Sequence, residues 1–235
     1  MSAAIDVAFD FRSDTPAGRD PDRYSGTLRR YHKLLWSKPL PDGTPFDLTD
    51  AAGGRYLYHR SLLGEFALSS DAVVPSFKWV PHVKQAIPQS EIEDFCAIGY
   101  TIGGMMIWPG NTINGKWTLN QARGCTRAIR DRFDLTLECV RRHYCGSANP
   151  LADVLARYAD FFRLFRDFRG FIEFFMLQDL VSDDCSAVRI TPPFDDFQGS
   201  PIPASTQAYY AYRREAIAFI EARNRRIREW SAGVA

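Results

Sequence analysis

The chain has 235 residues, of which 46% are hydrophobic and 24% charged, and its formal net charge is +1. This composition excludes an intrinsically disordered chain, which combines low hydrophobicity with high net charge. It also excludes a strongly basic domain that binds nucleic acid through charge alone. Arginine outnumbers lysine by 24 to 5. Because arginine is suited to phosphate and carboxylate recognition, an anionic ligand is one hypothesis, and ordinary surface ion pairs are the other.

The first half of the chain, residues 1–119, predicts short strands and two helices. An apolar stripe at helical spacing predicts a helix over residues 22–36, and Ser90 followed by Glu91 predicts the start of a second helix that ends near Gly99. Strands are predicted at residues 5–11, 55–59, 66–69, 76–83 and 105–108, and a hairpin at Asn114-Gly115.

The second half, residues 120–235, predicts mainly helices. Apolar residues recur at helical spacing from residue 126 to a stop at Gly146, and again after Asn149-Pro150, with a break or kink at Gly170. A proline-rich connector, residues 192–203, precedes a last helix over residues 205–230. We therefore predict one α+β domain, residues 1–235, in which a small, mostly antiparallel sheet from the N-terminal half packs against a helical C-terminal half.

The five cysteine residues form no CxxC pair and the N-terminal segment is not a secretory signal, so free thiols and a cytoplasmic location are expected. No Cys/His spacing predicts a zinc site, and we predict neither a metal nor a cofactor. The aromatic segment 161–177 carries five charged residues, so no membrane partner is predicted.

Two motifs match known sites in part. Gly110 to Lys116 has the GxxxxGK spacing of a phosphate-binding loop, but Trp117 replaces the Ser or Thr that holds magnesium, and Asn-Gly favours a hairpin. Arg12 or Arg55, the Ser69-Ser70 pair and the Glu91–Glu93 pair follow in the order of some mono-ADP-ribosyltransferases. An ADP-ribosyltransferase-like enzyme is therefore one alternative, although helix-start acids also explain the glutamates.

The strongest candidate site lies where the predicted sheet meets the helix over residues 126–145, because ligand sites favour such junctions. Arginine side chains clamp anions, and histidine is suited to proton transfer near neutral pH. We predict a site for a phosphate-bearing ligand, either a nucleotide or nucleic acid, without deciding whether turnover occurs. Its ligand-binding residues are Asn120, Arg123, Arg127 and Arg142, and its catalytic residues are His59, His143 and Glu138. The simpler interpretation is a solvated helix face whose charges pair at i,i+4 spacing.

A second alternative is a non-enzymatic component of a bacterial defence or mobile-element system that binds a protein partner. The last helix interleaves arginines with Tyr209, Tyr210, Tyr212 and Trp230, and Arg, Tyr and Trp are favoured at the centres of protein interfaces. The same helix also carries a core-like apolar stripe.

Four segments resemble a bacterial family of uncharacterised proteins: YHKLLWSKPLP at 31–41, IGYTIGGMMIWPGN at 98–111, DRFDLTLECVRRHY at 131–144 and FIEARNRRI at 219–227. The resemblance covers nearly the whole chain. It implies a bacterial, cytosolic, single-domain protein, and it carries no reaction, cofactor or catalytic residue.

Overall fold

A computed structural model describes residues 5–50, 57–192 and 194–234. Its described strands form one antiparallel sheet in the order β1-β2-β3-β4. The strands are β1 (Thr49–Asp50), β2 (Leu57–Ser61), β3 (Gly64–Ala72) and β4 (Met105–Pro109). The helices are α1 (Pro21–Tyr24), α2 (Gly26–Trp36), α3 (Pro81–Ala86), α4 (Gln89–Gly99), α5 (Leu119–Cys125), α6 (Phe133–Tyr144), α7 (Ala152–Arg157), α8 (Ala159–Arg163), α9 (Phe168–Phe175) and α10 (Thr206–Val234).

The predicted α+β class, with an antiparallel sheet in the N-terminal half and helices in the C-terminal half, is confirmed. Both halves contribute to one large apolar core. Its centre is a cluster of phenylalanine rings on α8, on α9 and between them, in which Phe171 lies 4.9 Å from Phe175 and 5.4 Å from Phe165 between ring centroids. The sheet reaches this cluster through Trp108 of β4, which stacks on Phe171.

The long helix α10 links the sheet to the helical half through hydrogen bonds of Arg223, whose side chain is fully buried. Its guanidinium group donates to the carbonyl oxygens of Gly103 at 3.0 Å, Met105 at 2.8 Å and Phe175 at 3.2 Å. Buried carbonyl groups need such donors, so one cation joins the start of β4 to the end of α9. Burial lowers the pKa of Arg223 to about 9.

Several local predictions are wrong for identifiable reasons. Residues 5–11 form turns, in which Asp6 and Asp10 bond to nearby backbone amides in place of a strand ladder. The predicted strand over residues 76–83 is a turn followed by α3, because Pro81 takes the first helical position.

Two predicted helix starts also differ. The helix over residues 22–36 is split at Ser25, whose hydroxyl caps α2 by accepting from the Leu28 amide at 3.0 Å. The helix expected from residue 126 begins only at Phe133, after Arg130 and Asp131, which both have positive φ.

The Asn114-Gly115 turn forms with positive φ at both residues, as the dipeptide predicts, but no described strand flanks it. The chain instead enters α5 through a capping box between Thr118 and Gln121. Residues 55 and 56 of the predicted strand at 55–59 lie outside the described residues. None of the described helices is long and apolar enough to cross a membrane.

Candidate functional site

A polar hollow lies along the C-terminal half of β3, and we call it the β3 hollow. Its cavity of about 200 Å³ is lined by Asp71 of β3, Tyr100 at the end of α4 and Asp131 before α6, with the exposed Lys78 at its edge. Helix α1 packs against β3 and brings Asp22 within electrostatic reach of Asp71. The sheet, α1, α4 and the α5–α6 connection therefore meet at one cluster of acidic groups.

A buried arginine organises this cluster. Arg123 of α5 is 0% exposed and donates to Asp71 Oδ2 at 2.5 Å, Thr136 Oγ1 at 3.1 Å and the Asp131 carbonyl oxygen at 3.2 Å. Its guanidinium carbon lies 5.3 Å from the ring centre of Trp108. Because each direction around the guanidinium is occupied, Arg123 fixes the Asp71 carboxylate and leaves no fork open for an anionic ligand.

Two carboxyl groups here have raised pKa values: Asp71, which lines the β3 hollow, and Asp22, which lines a separate small cavity beside Ser70. Burial raises the pKa of Asp22 to about 8, with additional repulsion from Asp71 and Asp20, against the opposing effect of Arg123. Burial also raises the pKa of Asp71 to about 6, although Arg123 opposes the shift. Asp22 Oδ1 is buried and has no hydrogen-bond partner among the described residues. Buried, unpaired carboxyl groups take a proton for this reason.

The backbone beside the β3 hollow is in an unfavourable conformation. Arg130 and Asp131 have φ of +47° and +62°, a region that costs most residue types free energy and that recurs at functional sites. The Asp131 carboxylate lies over Gly124, where an added Cβ would be 3.1 Å from Asp131 Oδ2. The backbone conformation that places the Asp131 carboxylate in the hollow thus costs some of the stability of the fold.

Ser70 and His32 lie next to Asp22 around a small cavity, but they are not a nucleophile and its base. Ser70 Oγ is 2.9 Å from His32 Nε2, and His32 Nδ1 accepts the indole N–H of Trp36 at 3.0 Å. His32 Nε2 therefore carries the ring proton and donates to Ser70. Burial, with repulsion from Arg223, lowers the pKa of His32 to about 3, so the ring stays neutral and accepts no proton from the serine.

Of the residues predicted from sequence, Arg123 contacts Asp71 of the β3 hollow and Asn120 contacts the preceding serines of β3, although neither residue lines the hollow itself. Asn120 Nδ2 donates to Ser69 Oγ at 3.0 Å, while its Oδ1 is buried without a partner among the described residues. Both side chains lie on α5 and face β3, as expected for residues at a sheet–helix junction. Their partners are side chains and backbone carbonyl groups of the protein itself.

The two predicted catalytic histidines lie elsewhere, on opposite sides of a phenylalanine cluster. His59 is buried against Phe46 at 4.1 Å and its Nδ1 contacts the Asp47 carbonyl oxygen at 3.2 Å. His143 packs against Phe162. Burial lowers the pKa of His59, with the Asp47 contact opposing, and burial lowers the pKa of His143. The structure does not bring the two rings together.

Of the other predicted residues, Glu138 and Arg142 form ion pairs within the described part of the chain and Arg127 does not. Glu138 is 6% exposed and accepts from Arg141 and Arg142 at 2.8 Å each. Burial opposes its ionisation, but these hydrogen bonds lower the pKa of Glu138. Arg142 also pairs with Asp196. Arg127 is exposed and has no ion pair among the described residues. The interpretation as a helix face with i,i+4 charge pairs is wrong for Arg127 and Arg130, because α6 starts after them.

The described residues that follow the order of ADP-ribosyltransferase sites do not line one pocket. Arg12 donates to Glu93 at 3.1 Å, and Ser69 is engaged by Asn120. The described sheet is one continuous meander, and none of Arg12, Ser69 and Glu93 lines the β3 hollow. Glu91 pairs instead with Arg213 of α10 at 2.8 Å.

Sequence reasoning missed Asp22, Asp71 and Tyr100. Asp22 falls at the start of the predicted helix over residues 22–36, and Asp20 caps α1 by accepting from the Asp22 amide. A signal for Asp71 existed, because it is an acid within a strand whose cross-strand partner, Met106, is fully buried. A carboxylate at such a position needs a cation to compensate its charge, and Arg123 provides that cation.

Among the described residues, no group of three or more His, Cys, Asp or Glu side chains is arranged to hold a metal ion.

Comparison with known proteins gives a family and no activity. Residues 5–227 match the model of a family described as a family of unknown function, DUF6994. No curated protein and no solved structure matches the chain. The match agrees with the resemblance to an uncharacterised family, while bacterial origin stays a prediction. Because it spans nearly the whole of the chain, this protein belongs to the DUF6994 family.

Proposed function

We propose that this protein is an enzyme that carries out acid–base chemistry on a small neutral or cationic substrate bound in the β3 hollow. The observation that carries the proposal is the half-buried Asp22, whose Oδ1 is buried without a partner among the described residues and whose carboxyl group lies within electrostatic reach of the Asp71–Arg123 ion pair. Strongly perturbed carboxyl groups in a cleft are candidates for catalysis. Of the three, Asp22 acts as the acid, Asp71 as the base, and Arg123 positions Asp71.

The pKa values suit these roles near neutral pH. With a pKa of about 8, Asp22 is mostly protonated at pH 7, whereas Asp71, with a pKa of about 6, is mostly ionised. Pairs of carboxyl groups whose surroundings separate their pKa values are the usual arrangement for an acid and a base in one site. The 26% exposure of the Asp71 side chain gives a substrate access to it.

The charge of the hollow selects the substrate class. Asp71, Asp131 and the nearby Asp20 contribute negative charge, which outnumbers the single exposed cation among the described residues at the edge, Lys78, and Arg123 is already paired. A phosphate group would be repelled here, while an amine or a hydroxyl group would find acceptors. A cavity of about 200 Å³ suits a molecule of the size of an amino sugar or a diamine.

The other functional predictions stay proposals. A nucleotide or nucleic acid would need cations on another surface, because Arg123 is buried and Arg142 is paired. A protein partner for α10 is less supported, since Tyr209, Tyr212 and Arg223 are buried inside the chain. A reducing cytoplasm is supported by all five cysteines being free, two of them with exposed side chains.

The experiment is a thermal-shift comparison of glucosamine, glucose and glucose 6-phosphate, with agmatine as a second cation. We expect stabilisation by the cationic or neutral members and none by the phosphate, because the three sugars differ mainly in charge. The shift should disappear in Asp71→Asn and persist in Asp94→Asn, which alters an exposed acid on α4. Stabilisation by glucose 6-phosphate alone would contradict the assigned substrate class.

Catalysis is tested separately on any ligand that binds. Its consumption should follow a bell-shaped pH dependence with limbs near 6 and 8, and Asp71→Asn should remove the lower limb. A ligand that binds through Asp71 and is recovered unchanged after long incubation would make the hollow a binding site and end the enzymatic proposal.

A further inference from the structure

A second cavity, distinct from the β3 hollow, lies between the start of α6, the middle of α10 and residues 179–192, and we call it the α6–α10 groove. Its volume is about 530 Å³, within the range of about 300–1,000 Å³ that small-ligand sites occupy. Its floor is largely apolar and includes Phe133, Ile190, Tyr212 and Phe219. A floor of this kind holds the hydrocarbon or ring portion of a ligand.

The wall of the groove is held by a buried ion pair. Arg132 and Asp134 are 4% and 8% exposed and are joined through both carboxylate oxygens. Asp134 Oδ2 accepts the Thr191 amide at 3.0 Å, and Arg132 Nη2 donates to the Thr191 carbonyl oxygen at 2.9 Å. Arg132 also donates to the Pro201 carbonyl oxygen. The segment that forms the wall is therefore fixed in place before a ligand arrives, which lowers the entropy cost of binding.

The charged side chains around the groove differ in how closely they are paired with other side chains. Two of its acids are already neutralised, Asp134 by Arg132 and Asp179 by Arg226, which donates to both carboxylate oxygens at 2.9 and 3.0 Å. Arg189 is 62% exposed and lies 3.5 Å from Asp183, whose side chain is fully exposed.

The second edge cation is Arg214, which is 73% exposed and contacts only its neighbour Glu215, at 3.3 Å, among the described residues. Exposed pairs of this kind contribute little. Arg189 and Arg214 therefore remain available for an anion, although Glu215 offsets part of their charge.

We propose that the α6–α10 groove binds a small amphipathic anion, whose compact apolar body lies on the floor and whose single phosphate or carboxylate group pairs with Arg189 and Arg214. Guanidinium groups bind both oxyanions through paired hydrogen bonds. In this proposal, two arginines contact an anionic ligand, as expected from the arginine content of the sequence. Arg123 cannot do so because it is buried and already paired with Asp71. Val74 lines both the groove and the β3 hollow, but this inference concerns binding alone and does not depend on catalysis in the hollow.

The test is isothermal titration calorimetry with adenosine monophosphate and decanoate, each beside its uncharged counterpart, adenosine or decanol, and with inorganic phosphate alone. We expect at least one of the two anions to bind at least tenfold more tightly than its uncharged counterpart and than inorganic phosphate. Binding of the nucleotide rather than the fatty acid, or the reverse, identifies the source of the anionic group.

Three variants locate the site. Arg189→Gln/Arg214→Gln should weaken binding of the anion at least tenfold, whereas Arg60→Gln/Arg163→Gln, which changes two exposed arginines outside the groove, should leave it unchanged. Ala218 is exposed at the groove, so Ala218→Trp should block binding without changing the core. Equal binding of anions and uncharged counterparts, binding of phosphate alone, or unchanged binding in Ala218→Trp would each overturn the proposal, as would failure of both anions to bind.

Discussion

Replacing Asp22 by asparagine should stabilise the protein at neutral pH. The folded state raises the pKa of this carboxyl group from 3.8 to about 8, so between these pH values the folded chain binds more protons than the unfolded chain. Stability is then fully retained below about pH 4 and falls as the pH rises toward 8. At about 1.4 kcal/mol per pKa unit, the cost at pH 7 is at most about 4 kcal/mol. Because Asp71 shares the same surroundings, we expect Asp22→Asn to add about 2–4 kcal/mol.

The assay is urea unfolding followed by circular dichroism at pH 4.5 and pH 7.5, with a reductant to keep the thiols free. Asp22→Asn should match the parent protein within about 1 kcal/mol at the lower pH and exceed it at the higher pH. Asp94→Asn, on an exposed face of α4, should follow the parent at both. If Asp22→Asn is no more stable than the parent at pH 7.5, then Asp22 is ionised and solvated in the folded state, and its role as an acid is refuted.

Three further predictions concern other parts of the fold. Burial, with repulsion from a nearby arginine, lowers the pKa of Lys38 to about 8, so after ¹³C reductive methylation one of the five lysine signals should titrate near pH 8 and vanish in Lys38→Arg. Glu138→Gln should lower the free energy of unfolding by about 1–3 kcal/mol, because two charge-assisted pairs are lost; an unchanged urea midpoint would show that the pairs contribute nothing. A Cβ at Gly104 would lie 2.1 Å from a backbone oxygen, whereas one at Gly26 meets nothing within 4 Å, so Gly104→Ala should lower the melting temperature strongly and Gly26→Ala should not.

The fold was largely predictable because its main signals are local. Met105 to Trp108 forms a strand as its continuous apolar run indicates, and the Asn114-Gly115 turn follows from the φ preference of that dipeptide. One error arises where a polar side chain hydrogen-bonds to the nearby backbone and so competes with the regular strand ladder. Asp10 binds the Arg12 amide at 2.9 Å, and this local bond replaces the strand that alternation of apolar residues indicated.

Only part of the candidate site could be predicted from the sequence, because its other residues come together only through tertiary packing. Asn120 and Arg123 were accessible to sequence reasoning because they lie on one helix next to the junction. Asp22 and Asp71 are separated by 49 positions, and nothing in their spacing indicates that α1 packs against β3. The perturbed pKa values come from burial at this contact. They are therefore a property of the tertiary structure, with no counterpart in the local sequence.

The buried guanidinium of Arg223 has a consequence for the order in which the chain folds. Its three carbonyl acceptors belong to segments synthesised long before α10. Until this helix leaves the ribosome, the carbonyl groups at the start of β4 and the end of α9 lack their donor. Burying them without water or a donor would cost free energy. The nascent sheet and phenylalanine cluster should thus remain hydrated and loosely joined, and should close only when the final helix docks.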